Sequence, residues 1–328
     1  MDIKRIILTG LKKNALIFVL IGIIALFSVL SPYFLRVNNL INIFIQQSFV
    51  IMASIGLAFV MISGGIDLSI GYQISLVGVI TTISMIWFKL PIPIAIVLGL
   101  ITGTCLGFLN GLLSNKLKVH PLIITLGTMT IFQGVSFIIS RANPIYNLPD
   151  GYKFIGQGFI GPIPLSVIIM VSIALVANFI LSKTYFGRFV YAIGGNEEAA
   201  RLAGIPVENI KLMVFSISSF FVAISAVVLV ARAGSATSLT GVGTEFSAIT
   251  ACILGGVSFK GGSGRIGGVI IGVLILGVLA NGMQIIGLGT YPQFVARGVV
   301  FLAAIGFDTY QKSVRNTRQD RRSVQAAA

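Results

Sequence analysis

The sequence predicts an all-α integral membrane protein, a polytopic bundle of about ten transmembrane helices with short or broken helices and one helix lying on the cytoplasmic side. Three observations lead there. Hydrophobic residues make up 56% of the 328-residue chain and charged residues only 10%, against roughly 25% charged in an ordinary soluble domain, so polar groups cannot cover the apolar surface in water. The apolar runs are continuous rather than alternating, and a bilayer core requires each segment to satisfy its own N–H and C=O groups, which favours helices over strands. At about 20 residues per crossing, the length allows on the order of ten spans and leaves no room for a large soluble catalytic domain.

The basic start, Met1–Lys13, leads into an apolar run from Asn14 to Leu30 with no small-residue cleavage site after it, which reads as a retained first span. Further spans are expected near 43–63, 68–88, 92–113, 121–140, 165–182, 212–231, 246–259, 266–286 and 293–310. They form a single transmembrane domain, 1–310, followed by a basic cytoplasmic tail, 311–328. Two polar stretches interrupt it. Residues 141–164 read as an extracytoplasmic loop with a turn at Pro149-Asp150-Gly151, and 183–211 as a cytoplasmic loop.

The formal charge of +14 is topological rather than a sign of nucleic-acid binding. With the N-terminus inside, ten crossings leave only Arg36, Lys89, Arg141, Lys153 and Arg232 outside and Arg297 within the last span. All other Lys and Arg residues fall on the cytoplasmic side, as the positive-inside bias requires. Both termini are then cytoplasmic. Tyr33, Trp87, Tyr185, Tyr291 and Tyr310 sit at run ends, at headgroup level. Cys105 and Cys252 lie in separate apolar runs and imply neither a disulfide nor a metal site.

Within 183–211, Asn196 is a good N-cap, and Glu197 and Glu198 put negative charge on the positive end of the helix dipole. Gly204 can end the helix in a left-handed conformation and Pro206 blocks continuation. A short helix over Glu197–Ala203 follows. At about 10 Å it is too short to be stable alone, so it either docks into a partner or packs on its own chain.

Four other features bear on function. In SGGIDLSIG, Ser63–Gly71, the glycines permit a sharp turn and Asp67 can cap a helix starting at Leu68; this is either a plain turn at the inner surface or a break lining a pathway. Gly262, Gly264 and Gly267 spell G-x-G-x-x-G, but no acid follows until Asp308, so a dinucleotide fold is rejected; no P-loop motif occurs either. Gly99, Gly103, Gly107 and Gly111, and later Gly268, Gly272, Gly277 and Gly282, form stripes suited to close helix packing in lipid. The two stripes end at Asn110-Gly111 and Asn281-Gly282, a weak hint of two structural repeats with a pathway between them.

Neutral side chains that could line such a pathway are Gln46, Gln47, Gln73, Asn110, Gln133, Asn281 and Gln284, together with the acid Asp67; interhelical hydrogen bonding is the alternative for each. Pairing of Glu245 with Arg297 would lower the cost of burying either. His120, before Pro121, reads as a surface cap. Paired catalytic carboxylates, a nucleophile with its base and a metal-ligand cluster are all lacking in the sequence.

Several long motifs, in order along nearly the whole chain, carry a family resemblance: SPYFLRVNNLINI, GGIDLSIG, PLIITLGTM, FGRFVYAIGGNEEAARLAGI, EFSAITACILGGVSFKGGSGRIGG and NGMQIIGLGTYPQFVARGVV. The chain resembles the permease subunits of bacterial ATP-binding-cassette importers for simple sugars such as ribose, galactose and xylose. The resemblance implies a non-enzymatic, multi-pass subunit of the bacterial inner membrane that binds no cofactor, while ATP is hydrolysed by two partner ATPase subunits. It further implies an external sugar-binding protein and a second permease subunit, identical or related. Gly195, Asn196, Glu197, Glu198, Ala199, Ala200, Arg201 and Gly204 would belong to the coupling helix that fits a groove in the ATPase. An ion-coupled secondary transporter and a permease for branched-chain amino acids stand as alternatives.

Overall fold

The computed structural model describes residues 15–306, and the basic N-terminal stretch and the tail 311–328 lie outside them. The described chain is built of helices: α1 (Ala15–Leu30), α2 (Val37–Ile62), α3 (Ile70–Ile86), α4 (Ile92–Leu117), α5 (Pro121–Ser140), α6 (Asp150–Gln157), α7 (Leu165–Lys183), α8 (Tyr185–Gly195), α9 (Glu197–Leu202), α10 (Val207–Ala233), α11 (Thr244–Leu254), α12 (Ile266–Ile285) and α13 (290–306). Six of them, α2, α4, α5, α7, α10 and α12, are long and apolar enough to cross a membrane, and α1, α3 and α11 are shorter apolar helices. The protein is an all-α, multi-pass membrane protein.

Helices α2 and α10 form the centre. Every residue of α2 from Ile51 to Ile62 is buried, and α10 packs along both α4 and α2. Lipid gives apolar side chains little reason to associate, so close approach has to come from small residues. The first glycine stripe supplies it. A Cβ at Gly103 would strike Ala223, and one at Gly107 would strike the Phe215 carbonyl and Ser219, all on α10. The second stripe does the same for α12: Gly268 and Gly272 admit the backbone of Gly255 and Ala251, and Gly277 and Gly282 admit Gln47 and Phe27.

Several boundaries differ from the sequence reading. The second helix begins at Val37 rather than 43, because Asn39 is not a solvated loop residue: its amide donates to the Phe34 carbonyl at 2.8 Å and to Asn281 Oδ1 at 3.0 Å. Helix α3 begins at Ile70, since Asp67 bonds Ser69 and holds 64–69 unwound. The expected span 246–259 is an eleven-residue helix, Thr244–Leu254, about 16 Å long. Before it, the chain descends along the bundle. Ala236 pairs with Ile145, whereas the Gly241 N–H already donates to Ser75 Oγ on α3 at 3.0 Å.

The two polar stretches are more ordered than expected. Pro149 is the N-cap of α6 rather than part of a turn, and the wholly buried Tyr152 of α6 donates its hydroxyl to the Val227 carbonyl at 3.1 Å. A minimal hairpin, Phe159–Ile160 with Ile163–Pro164, follows. Its two-residue loop places Gly161 at φ +60°, which a glycine accepts without steric cost. The other stretch contains α8, which the sequence reading did not anticipate. Thr184 caps it, accepting from the Gly187 N–H at 3.1 Å.

At the end of the bundle where α2 and α8 stop, three backbones meet with no side chain between them. The Gly262 N–H donates to the Ile62 carbonyl at 2.9 Å. A Cβ at Gly194 would collide with both of those groups, one on Gly261 would lie 2.7 Å from Gly64 Cα, and one on Gly262 would lie 2.8 Å from Gly195 Cα. Gly64, Gly261 and Gly262 also take positive φ, so this joint requires glycine on two counts.

Two outcomes follow for the packing. Gly107→Ala should lower stability by about 1–3 kcal/mol through overpacking against α10, whereas Gly127→Ala, where nothing lies within 4 Å, should leave the thermal midpoint of the purified protein unchanged. Gly194→Ala should open the joint, read as faster proteolysis within 183–211 than in the wild type.

Candidate functional site: a surface helix and a mid-bundle cavity

Helix α9 is set by local chemistry. Asn196 Oδ1 accepts from the Ala199 N–H at 2.9 Å, Glu197 and Glu198 occupy the first turn and Arg201 the last, and Gly204 follows at φ +82°. With six residues it spans about 9 Å, so its neighbours must hold it. Lys211 on α10 pairs with Glu197, and Arg201 pairs with both Glu208 on α10 and Glu197. Exposed ion pairs of this kind are screened by water and each adds little. Together with Ala200, which is buried among apolar neighbours, they seat one face of α9 on its own chain.

The opposite face is bare. Glu198 and Ala199 are exposed, and Leu202 is 86% exposed. Sequence reasoning passed over Leu202, Glu208 and Lys211. A leucine closing a short helix otherwise made of polar residues and alanine was the available signal for the first, and opposite charges spaced around Pro206 for the others. Immediately before α9, Gly194 and Gly195 belong to the glycine joint, so the helix is attached directly to the end of α2. Tyr191 of α8 reinforces that attachment by donating to the Gly264 carbonyl at 2.8 Å; half-burial holds its phenol above the usual range, against the opposing pull of Arg265, which keeps it a donor.

A cavity of about 670 Å³ opens between α2, α11, α12 and α13. Its polar lining includes Gln46, Gln47, Thr240, Ser247, Thr250, Arg232 and Arg297, and its aromatic lining Phe49, Phe246, Phe294 and Phe301, with the Arg297 guanidinium 5.9 Å from the Phe294 ring. The two arginines have no carboxylate partner among the described residues. Glu245 is not paired with Arg297: its carboxylate is buried and accepts instead from the Gly243 N–H at 3.0 Å. Such a lining offers donors and acceptors to a hydroxyl-rich solute and aromatic faces to its apolar edges.

The other polar positions separate into three places. Asp67, Gln73 and Asn110 are wholly buried together around Ser69. Asn281 exchanges two hydrogen bonds with Asn39, each 3.0 Å, fastening α12 to α2. Gln284 is exposed and lies apart from the cavity. His120 caps α5, its Nδ1 accepting from the Leu122 N–H at 3.3 Å.

Residues 39–305 match the family described as branched-chain amino acid transport system / permease component. The chain is 41% identical over 298 residues to the D-allose transport system permease protein AlsC of Escherichia coli (strain K12), covering 90% of this chain and 91% of that protein. It is 39% identical over 295 residues to the ribose import permease protein RbsC of Haemophilus influenzae, covering 89% and 91%. It is 36% identical over 303 residues to the L-arabinose transport system permease protein AraH of Escherichia coli (strain K12), covering 90% and 92%. No solved structure matches it. A capped surface helix rooted in a glycine joint, an intramembrane cavity and these likenesses along nearly the whole chain agree, and the chain belongs to this family of transport-system permease components, as a permease rather than an enzyme.

Proposed function

We propose that this permease is the membrane subunit of an ATP-driven, binding-protein-dependent importer of a simple sugar in the bacterial cytoplasmic membrane. The observation that carries this reading is the bare face of α9, Glu198 and Leu202, on a chain without a nucleotide-binding motif: an energy source must act from outside, and this is where it can take hold. The sugar follows from the relatives' names and from the hydrogen-bonding lining of the cavity, in which Gln46, Gln47, Thr240, Ser247 and Thr250 stand with Arg232 and Arg297 and no carboxylate among the described residues.

In this reading the chain crosses the membrane ten times with both termini inside. The crossings are the six long helices, α1, α3, α13, and α11 together with the descending segment before it. The loop with α6 then faces the external binding protein, and α9 faces the ATPase. Two permease copies, identical or related, flank the passage, and two ATPase subunits sit below. Closure of the ATPases pushes α9, and because Gly194 and Gly195 touch the loop of Gly261 and Gly262 without intervening side chains, the push reaches the end of α2 and the unwound 64–69 as a rigid displacement. The cavity beside Gln46 and Gln47 serves as a waypoint for the cargo. An ion-driven carrier is not favoured, since the relatives are named as transport-system and import permeases.

The decisive experiment is uptake into proteoliposomes containing the permease, its ATPase and its binding protein. Leu202→Asp and Glu198→Lys should insert normally and reduce sugar-stimulated ATP hydrolysis at least tenfold. Ala200→Trp should lower stability as well, since Ala200 faces its own chain. Unchanged coupling in both outward-facing variants would remove α9 from the mechanism. Arg297→Gln and Gln47→Leu should each reduce the uptake rate several-fold while basal ATP hydrolysis persists; a protonophore that stops uptake while ATP stays high would overturn the ATP-driven reading.

A further inference from the structure

The cluster around Ser69 is short of positive charge and of hydrogen-bond donors. Ser69 has one hydroxyl proton and gives it to Asp67 Oδ1 at 2.6 Å. Its oxygen is therefore an acceptor toward Gln73 Nε2 at 2.7 Å and Asn110 Nδ2 at 2.9 Å, and this one-proton constraint fixes the orientation of both amides. Gln73 Oε1 and Asn110 Oδ1 are consequently left buried without a donor. Asp67 receives the Ser69 N–H at 2.8 Å and Gln73 Nε2 at 3.2 Å, yet has no cationic partner among the described residues. The neighbouring charged group, Glu245 against Gly71, is itself an acid.

Burying a carboxylate without a counter-charge, and two carbonyl oxygens without donors, is costly. A water could donate to both amide oxygens but would leave the charge. A proton on Asp67 would cancel the charge but supply one donor for two oxygens; a proton and a water together are the rival occupant, and they predict stabilisation by acid with no preference among the salts. A divalent ion calls for more carboxylates than this one. We propose that the cluster holds a resident monovalent cation, Na⁺ or K⁺, between the carboxylate of Asp67 and the amide oxygens of Gln73 and Asn110. The setting suits it: helix interruptions buried in protein are where membrane proteins place such ions. The ion fastens the unwound 64–69 to α3 and α4 and is not itself transported, so the assignment is independent of the cargo.

The test is thermal unfolding of the purified full-length permease in NaCl, KCl and choline chloride at equal ionic strength. The midpoint should rise in at least one of the two metal salts, by roughly 2–4 °C for each tenfold increase above the dissociation constant, with the preferred salt identifying the ion. Choline should have no such effect. Asp67→Asn should abolish the response, and Gln73→Met, which removes one amide oxygen with little change in shape, should raise the half-saturating concentration about tenfold. If Asp67→Asn does not fold, the Gln73→Met titration decides. Equal midpoints in all three salts, an unaltered half-saturating concentration in Gln73→Met, or stabilisation by acid alone, which would assign the site to a proton, each overturns the proposal.

Discussion

Backbone touching backbone is the constraint on which this molecule depends. In lipid, apolar side chains gain little by associating, so stability must come from close contact and satisfied hydrogen bonds. Two glycine stripes bring α4 and α12 against their neighbours, and at the base of α2 the same device becomes a joint in which Gly194, Gly261 and Gly262 leave no room for a side chain against the backbone of Ile62, Gly64 and Gly195. Elsewhere a shift of a helix can be absorbed by changes of rotamer. Here backbone meets backbone, so the six-residue surface helix is attached to the end of α2 with no side chain between them.

Polar groups follow a matching economy. Asn39 and Asn281 satisfy each other completely and act as a fastener. Tyr152 spends its hydroxyl on a carbonyl of α10, closing the far end of that helix. Around Asp67 the balance is incomplete, and in the cavity Arg232 and Arg297 line the wall without a carboxylate partner among the described residues. The same residue types thus perform three tasks, distinguished only by whether their partners are already present.

What could be read in advance was what is decided locally. The α9 cap, its acidic first turn and the glycine that ends it all depend on neighbours within a few positions, and the stripes follow helical spacing. Less legible was anything decided by distant contacts. Asn39 looked like a loop residue because its partner is Asn281, on another helix. Helix α8 is decided by a distant contact, the approach of Gly194 at its end to the Ile62 carbonyl at the end of α2. Gln46 and Gln47 were indistinguishable in sequence from Gln73 and Asn110, yet two of them line an open volume and two are enclosed around Ser69. Arg232 lies beyond the expected span 212–231 in the sequence, but α10 runs on to Ala233 and carries it in its last turn, where it shares the lining with Arg297.

The joint at the base of α2 and the cavity near its middle have no residue in common. On the roles we propose for α9 and the cavity, drive train and payload bay are separable in design: the lining can be rewritten for a different solute while the linkage below is left alone. A single chassis of this kind can be refitted repeatedly, with selection acting on one compartment at a time.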